Sequence, residues 1–183
     1  MLGTWDNALG APFLHLSDII ARLSIKVTVV PPLPSALELG GKVCLGGKAA
    51  CIGGKSTRMV TGLVYGGISV ADPTRNYLMA MISECTMDKM FSILADTVSK
   101  NFEKFRTMLP STMRQSGLYP TRDGCTGAQI NDPGANPDCF ARFSVSPSNV
   151  QSIRTSKTTI YVPQGFAVSA RWVGVGRGGG LRV

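Results

Sequence analysis

Asp72-PTRNYLMAMISECTMDKMFSILADTVSKNFEKFRTML-Pro110, residues 72–110, decides the fold. Asp72 is a good helix N-cap, Pro73 suits a first helical turn, and Pro110 marks an end. Between them Met87, Phe91, Leu94, Val98, Phe102, Phe105 and Leu109 recur at steps of three and four, one apolar stripe on a helix. Leu78, Met79, Met81 and Ile82 widen the stripe near its start, which favours burial on more than one side. The spacing therefore predicts one long amphipathic helix over about 73–109. At 1.5 Å per residue it would reach roughly 55 Å, longer than a compact domain of this size readily buries. Such a helix is either broken or docked on a partner, and Met87, Phe91, Leu94, Val98, Phe102 and Phe105 are the candidate partner-packing residues.

Upstream of this segment, glycine dominates. Three Gly-Gly-Lys triplets, Gly40-Gly41-Lys42, Gly46-Gly47-Lys48 and Gly53-Gly54-Lys55, together with Gly66-Gly67, divide residues 36–71 into short apolar pieces. Short strands joined by tight turns fit that pattern, and a Gly-rich, closely packed helix is the rival. Further back, Phe13, Leu16, Ile20 and Leu23 recur at helical spacing after Pro12, so residues 12–23 read as a short amphipathic helix. A strand over 24–30 follows, ended by Pro31-Pro32.

Downstream, residues 117–147 are rich in Gly, Pro, Asn and Asp and read as turns and loops. Residues 158–162 and 166–175 alternate as two strands around Pro163-Gln164-Gly165, a C-terminal antiparallel β-hairpin. The fold class expected is α+β: the long helix, Gly-punctuated strands before it and the hairpin after it. A chain of 183 residues with 44% apolar content can bury a core as a single domain over 1–183. Residues 1–35 would form an N-terminal helix-strand extension and 176–183 a basic, Gly-rich tail.

The net charge of +8 is unevenly placed. Between Glu38 and Asp72 the only charges are Lys42, Lys48, Lys55 and Arg58, and after Asp138 come Arg142, Arg154, Lys157, Arg171, Arg177 and Arg182 without an acid. That partition points to a polyanion or acidic neighbours, with Lys42, Lys48, Lys55, Arg58, Arg171, Arg177 and Arg182 as the binding set. A solubilising excess of basic residues would look the same. Residues 49–57 approach the phosphate-binding pattern G-x-x-x-x-G-K-[ST], but Ala49 stands where its first glycine belongs. Turns or close packing explain the triplets better.

No catalytic constellation is visible. His15 is the one histidine, which leaves no multi-histidine metal site, and a surface hydrogen bond to Asp18 suits it better than catalysis. Glu84 and Asp88, four apart, read as solvated charges beside Lys89. The five cysteines form no C-x-x-C pair, so zinc is disfavoured; Cys125 and Cys139 bracket a turn-rich loop and form a possible disulfide. Asp123, Asn131, Asp132, Asn136 and Asp138 in that loop are explained by Asx turns more simply than by calcium. Alternation sends Trp172 to an apolar face, where core packing is expected.

These features point to a non-enzymatic structural subunit of a larger assembly, a viral or phage particle, organellar complex or ribonucleoprotein, with protein subunits as partners and possible RNA or DNA contact. Alternatives are a nucleic-acid-binding module and a phosphate- or nucleotide-binding enzyme using the Gly-Gly-Lys region. No cofactor or metal is implied. The start of the chain lacks a cleavable secretory signal, so an intracellular, virion or organellar location is expected, and no stretch suits a transmembrane helix.

Overall fold

The computed structural model describes residues 4–26, 33–53, 58–121, 137–155, 158–174 and 179–182. It is mostly β. A nine-stranded sheet contains β1 (Leu14–Lys26), β2 (Leu33–Gly46), β3 (Met59–Ser69), β4 (Tyr77–Ile82), β5 (Cys85–Thr86), β6 (Gly117–Tyr119), β7 (Ala141–Ser146), β10 (Gly165–Val173) and β11 (Gly179–Arg182). Its order is β1-β2-β3-β4-β7-β10-β6-β5, with β11 also paired to β10, and every pairing is antiparallel. A separate two-stranded sheet pairs β8 (Gln151–Arg154) with β9 (Thr159–Val162). Four short helices complete the described fold: α1 (Lys48–Gly53), α2 (Met87–Thr97), α3 (Asn101–Met108) and α4 (Ser111–Arg114).

The expected α+β fold with one long helix over 73–109 is therefore incorrect. Asp72 does cap, accepting from the Thr74 N–H, but Pro73–Arg75 is only a single 3-10 turn. Residues 77–82 are β4, because their apolar side chains serve two faces of a strand rather than a wide helical stripe. Helix starts at Met87, where the Thr86 hydroxyl accepts from the Lys89 N–H. It stops near Val98, and the Ser99 hydroxyl accepts from Asn101 N–H as the chain re-enters helix. The stripe is folded back on itself: Phe91 and Phe102, one from each helix, stack with centroids 6.4 Å apart.

The expected helix over 12–23 is also corrected. Leu14 to Lys26 is the sheet's edge strand, and a bulge at Asp18 and Ile19, both opposite Gly41, produces the misleading spacing. Asp18 takes φ 51°, and beyond the bulge the strand's alternation changes phase. Leu16 and Leu23, seven apart, thus reach the same face. Two of the Gly-Gly pairs do not break strands, since Gly40-Gly41 lie inside β2 and Gly66-Gly67 inside β3, whereas Gly46-Gly47 does mark the end of β2. At two of these glycines an added Cβ would run into an aromatic ring, Tyr65 over Gly40 and Tyr77 over Gly67. Finally, 159–162 and 165–173 are strands but not a hairpin: β9 pairs with β8, whereas β10 pairs with β7, β6 and β11.

The core lies between one face of the large sheet and the small one. Leu63, Tyr65, Met79 and Met81 of β3 and β4 pack with Cys139, Phe140, Ile153, Ile160 and Val162 in one buried cluster. Each such side chain contributes about 1.5–3 kcal/mol on removal from water. Among the described residues no helix is long and apolar enough to cross a membrane.

Candidate functional site

Strand register sorts the side chains of the large sheet by chemistry. Residues directly opposite one another on antiparallel strands share a face. On the core side the rows include Arg22, Glu38, Tyr77 and, two rows further, Lys42, Leu63, Met81, Arg142, so this face carries the charges around its packed centre.

The opposite face has a different composition. Successive rows read Leu23, Leu37, Ile68; then Ala21, Leu39, Gly66, Leu78, Val145, Phe166; then Gly41, Val64, Ala80, Phe143, Val168; then Leu16, Val43, Gly62, Ile82, Ala141. None of these residues is charged, and the array crosses six strands from β1 to β10. Phe143 and Phe166 meet edge to face at 5.4 Å within it. Coverage varies along β3, where Val60 is 1% exposed, Val64 39% and Ile68 62%. Leu23, Leu39, Leu78, Phe166 and Trp172 are also exposed. Trp172 thus occupies the expected apolar face, but there it is 52% exposed rather than packed in a core.

A solvated sheet face ordinarily alternates to polar residues, and contiguous exposed apolar patches beyond a few hundred Å² mark interaction sites. This array is the strongest candidate site in the described residues. Sequence reasoning missed it because a strand apolar on both faces lacks the alternation that identifies strands.

The residues singled out from the sequence are placed differently. Lys42 Nζ is 2.8 Å from Asp18 Oδ2, Lys48 Nζ is 2.8 Å from Asp6 Oδ2, and Arg58 is 3.0 Å from Asp96. The run that lacks acids in sequence therefore meets acids contributed by other segments. Lys48, followed by His15, holds the Asp6 carboxyl below its usual range. Arg171 lies over the Tyr119 ring at 6.0 Å. Lys55, Arg177 and Cys125 lie outside the described residues, and so does the side chain of Arg182. Cys139 is disulfide-bonded and fully buried. Of the packing stripe, Phe91 and Phe102 are used internally, Met87 and Leu94 are partly buried, and Val98 and Phe105 are mostly exposed.

A disulfide joins Cys44 of β2 to Cys51 of α1, with Cα atoms 5.9 Å apart. The glycines between them, Gly46 and Gly47, allow the tight path, and that spacing was the available clue. His15 is buried, and its Nδ1 is 3.3 Å from Asp6 rather than paired to Asp18.

A cleft of about 410 Å³ opens beside α2, lined by Glu84, Asp88, Lys89, Arg114, Gln115 and Tyr119 among others. Its charges cancel in pairs: Lys89 Nζ lies 2.8 Å from Glu84, and Asp88 is held by Arg106 at 3.0 Å and approached by Arg114 at 3.9 Å. Nearby Cys85 is a free thiol whose pKa is pushed up by burial, opposite to what a nucleophile needs. No group of three or more metal-ligating side chains occurs among the described residues. Comparisons with protein-family models, curated proteins and solved structures find no match.

Proposed function

We propose that this chain is a non-enzymatic structural subunit of a larger macromolecular assembly, a viral or phage particle, an organellar complex or a ribonucleoprotein. The supporting observation is the uncharged sheet face that crosses six strands and keeps Leu23, Leu39, Ile68, Leu78 and Phe166 exposed. Large apolar surface in water is unfavourable by roughly 25 cal/mol per Å², so a stable chain that keeps this face open gains by covering it. The principal contact is therefore the sheet face, and the helical stripe is secondary because its central aromatics pair with each other. A polyanion or acidic neighbour remains part of the proposal through the net charge of +8, although Lys42, Lys48 and Arg58 already hold internal carboxylates. Native mass spectrometry of the intact complex from the native source tests the proposal. Recovery of the chain in a particle of fixed stoichiometry supports it; recovery only as a folded monomer overturns it.

A further inference from the structure

We propose that the uncharged face of the large sheet is covered by the same face of a second copy of this chain, packed sheet to sheet about a two-fold axis. This rests on the assembly reading and names its first partner.

Three observations favour a second copy over other occupants. The first is chemical self-complementarity. Rows from β1 to β10 contain no charge, so pairing the face with itself strands no unpaired ion in the interface. A partner bearing Lys, Arg, Asp or Glu would find nothing there to pair with.

The second is relief. Leu39, Leu78, Val145 and Phe166 stand as a ridge interrupted at Gly66, which, with Ala80 in the next row, leaves shallow places. A copy rotated by a half-turn can set its ridge into those places. Two twisted sheets pack in this way about 10 Å apart, with strands about 30° from parallel. A single partner helix, about 10 Å wide, would cover only part of an array that crosses six strands.

The third is size. Leu23, Leu37, Leu39, Val64, Ile68, Leu78, Val145, Phe166 and Trp172 are all exposed on this face. Together they present on the order of 800 Å², which is what each partner contributes to a standard stable interface. Like charge does not prevent the pairing. The side chains of Asp18, Arg22, Glu38, Lys42 and Arg142 lie on the far face, and across two sheets their repulsion is weakened by a screening length of about 8 Å at physiological salt.

Light scattering on the purified full chain at about 100 µM, where a micromolar dimer is nearly complete, is the first measurement. Twice the 19.4 kDa chain mass is expected, and a monomer overturns the proposal. Leu78, in the middle of the array, identifies the face. Leu78→Lys and Leu78→Glu alone should each weaken association by at least about 100-fold, since each buries a like-charged pair. Mixing the two variants should restore at least part of it. Phe105→Glu, on the exposed side of α3, should leave the dimer intact. Dimers that survive both Leu78 variants but fail in Phe105→Glu would overturn the face assigned. A monomer whose face is protected from hydrogen exchange only by a different protein in the source complex overturns the self-pairing while leaving the assembly reading standing. A monomer that instead binds phosphatidylcholine vesicles, and appears in no source complex, overturns both.

Discussion

The two faces of the large sheet are built from the same strands and opposite chemistry. On one, Tyr65, Met79 and Met81 lie under Phe140, Ile160 and Val162, and charges such as Arg22, Glu38 and Lys42 surround them. On the other, leucine, valine and phenylalanine recur in register without a charge and without a cover over much of their extent. The difference separates two uses of apolar surface: the first closes the fold within one chain, and the second is the surface we propose for association. Truncations on the first should therefore reduce stability at any concentration, whereas changes on the uncovered part of the second should act through concentration.

The largest effect is expected at Phe140, which is 1% exposed in the middle of the core cluster. Phe140→Ala should lower the unfolding free energy by about 3–5 kcal/mol, combining lost transfer energy with the cavity left behind. Urea denaturation followed by circular dichroism measures it. A loss that disappears on dilution would mean that this face, too, is completed by a partner.

The contrast between faces also explains what the sequence discloses and what it hides. The helical spacing of Met87 to Phe105 is genuine and becomes α2 and α3, but the turn at Val98–Lys100 depends on Phe91 meeting Phe102, a tertiary contact. In β4, Leu78 faces the open array while Met79 and Met81 face the core, so both phases of the strand are apolar and the period of two is lost. β1 hides differently: its bulge at Asp18 converts alternation into steps that imitate a helix. Gly40 and Gly67 read as turns because the rings that lie over them belong to other strands or to residues ten positions away. The basic run around Lys42 is plain in sequence, yet its neutralising acids, Asp6, Asp18 and Asp96, arrive only through folding. The strands at 159–162 and 165–173 were legible, but their partners were not.

The Cys44–Cys51 bond comes next in expected magnitude. It closes a separation of seven residues, for which the chain-entropy relation gives about 2.5 kcal/mol. Cys44→Ser with Cys51→Ser should show that loss, and adding a reductant to the parent protein should reproduce it. Because α1 joins the end of β2 and lies away from the open array, dimer affinity should change little.

At Gly40 an added methyl would run into the Tyr65 ring. Gly40→Ala should destabilise by about 1–3 kcal/mol, as overpacking does. In a Tyr65→Leu background the same change should be smaller, and a double-mutant cycle reads the difference. Equal effects in both backgrounds would remove the ring from the account and leave only backbone propensity.

Tyr77 offers a pH test of the core face. Burial, with Glu38 adding to it, pushes its phenol up to about 12 from 10.0. Folded protein therefore holds the proton more tightly than unfolded chain. That stability is fully present below pH 10 and is lost as pH rises through about 12. Tyr77→Phe should flatten this part of the alkaline unfolding curve. The ring is only half-buried, so solvent screening makes the change smaller than that at Gly40.

The smallest effect should occur at Ile68, and its smallness is what distinguishes the open part of the array from its covered end. Val60 and Ile68 project from the same side of β3, one 1% exposed and the other 62%. In protein dilute enough to be monomeric, Val60→Ala should destabilise by about 2 kcal/mol, whereas Ile68→Ala should remain within about 0.5 kcal/mol, as an exposed substitution does. Raising the protein concentration should then separate the Ile68 variant from the parent, since only the associated state buries that side chain. Denaturation midpoints measured across a concentration series would show this as two curves that coincide when dilute and diverge when concentrated. Curves that stay parallel would place Ile68 outside any self-association interface.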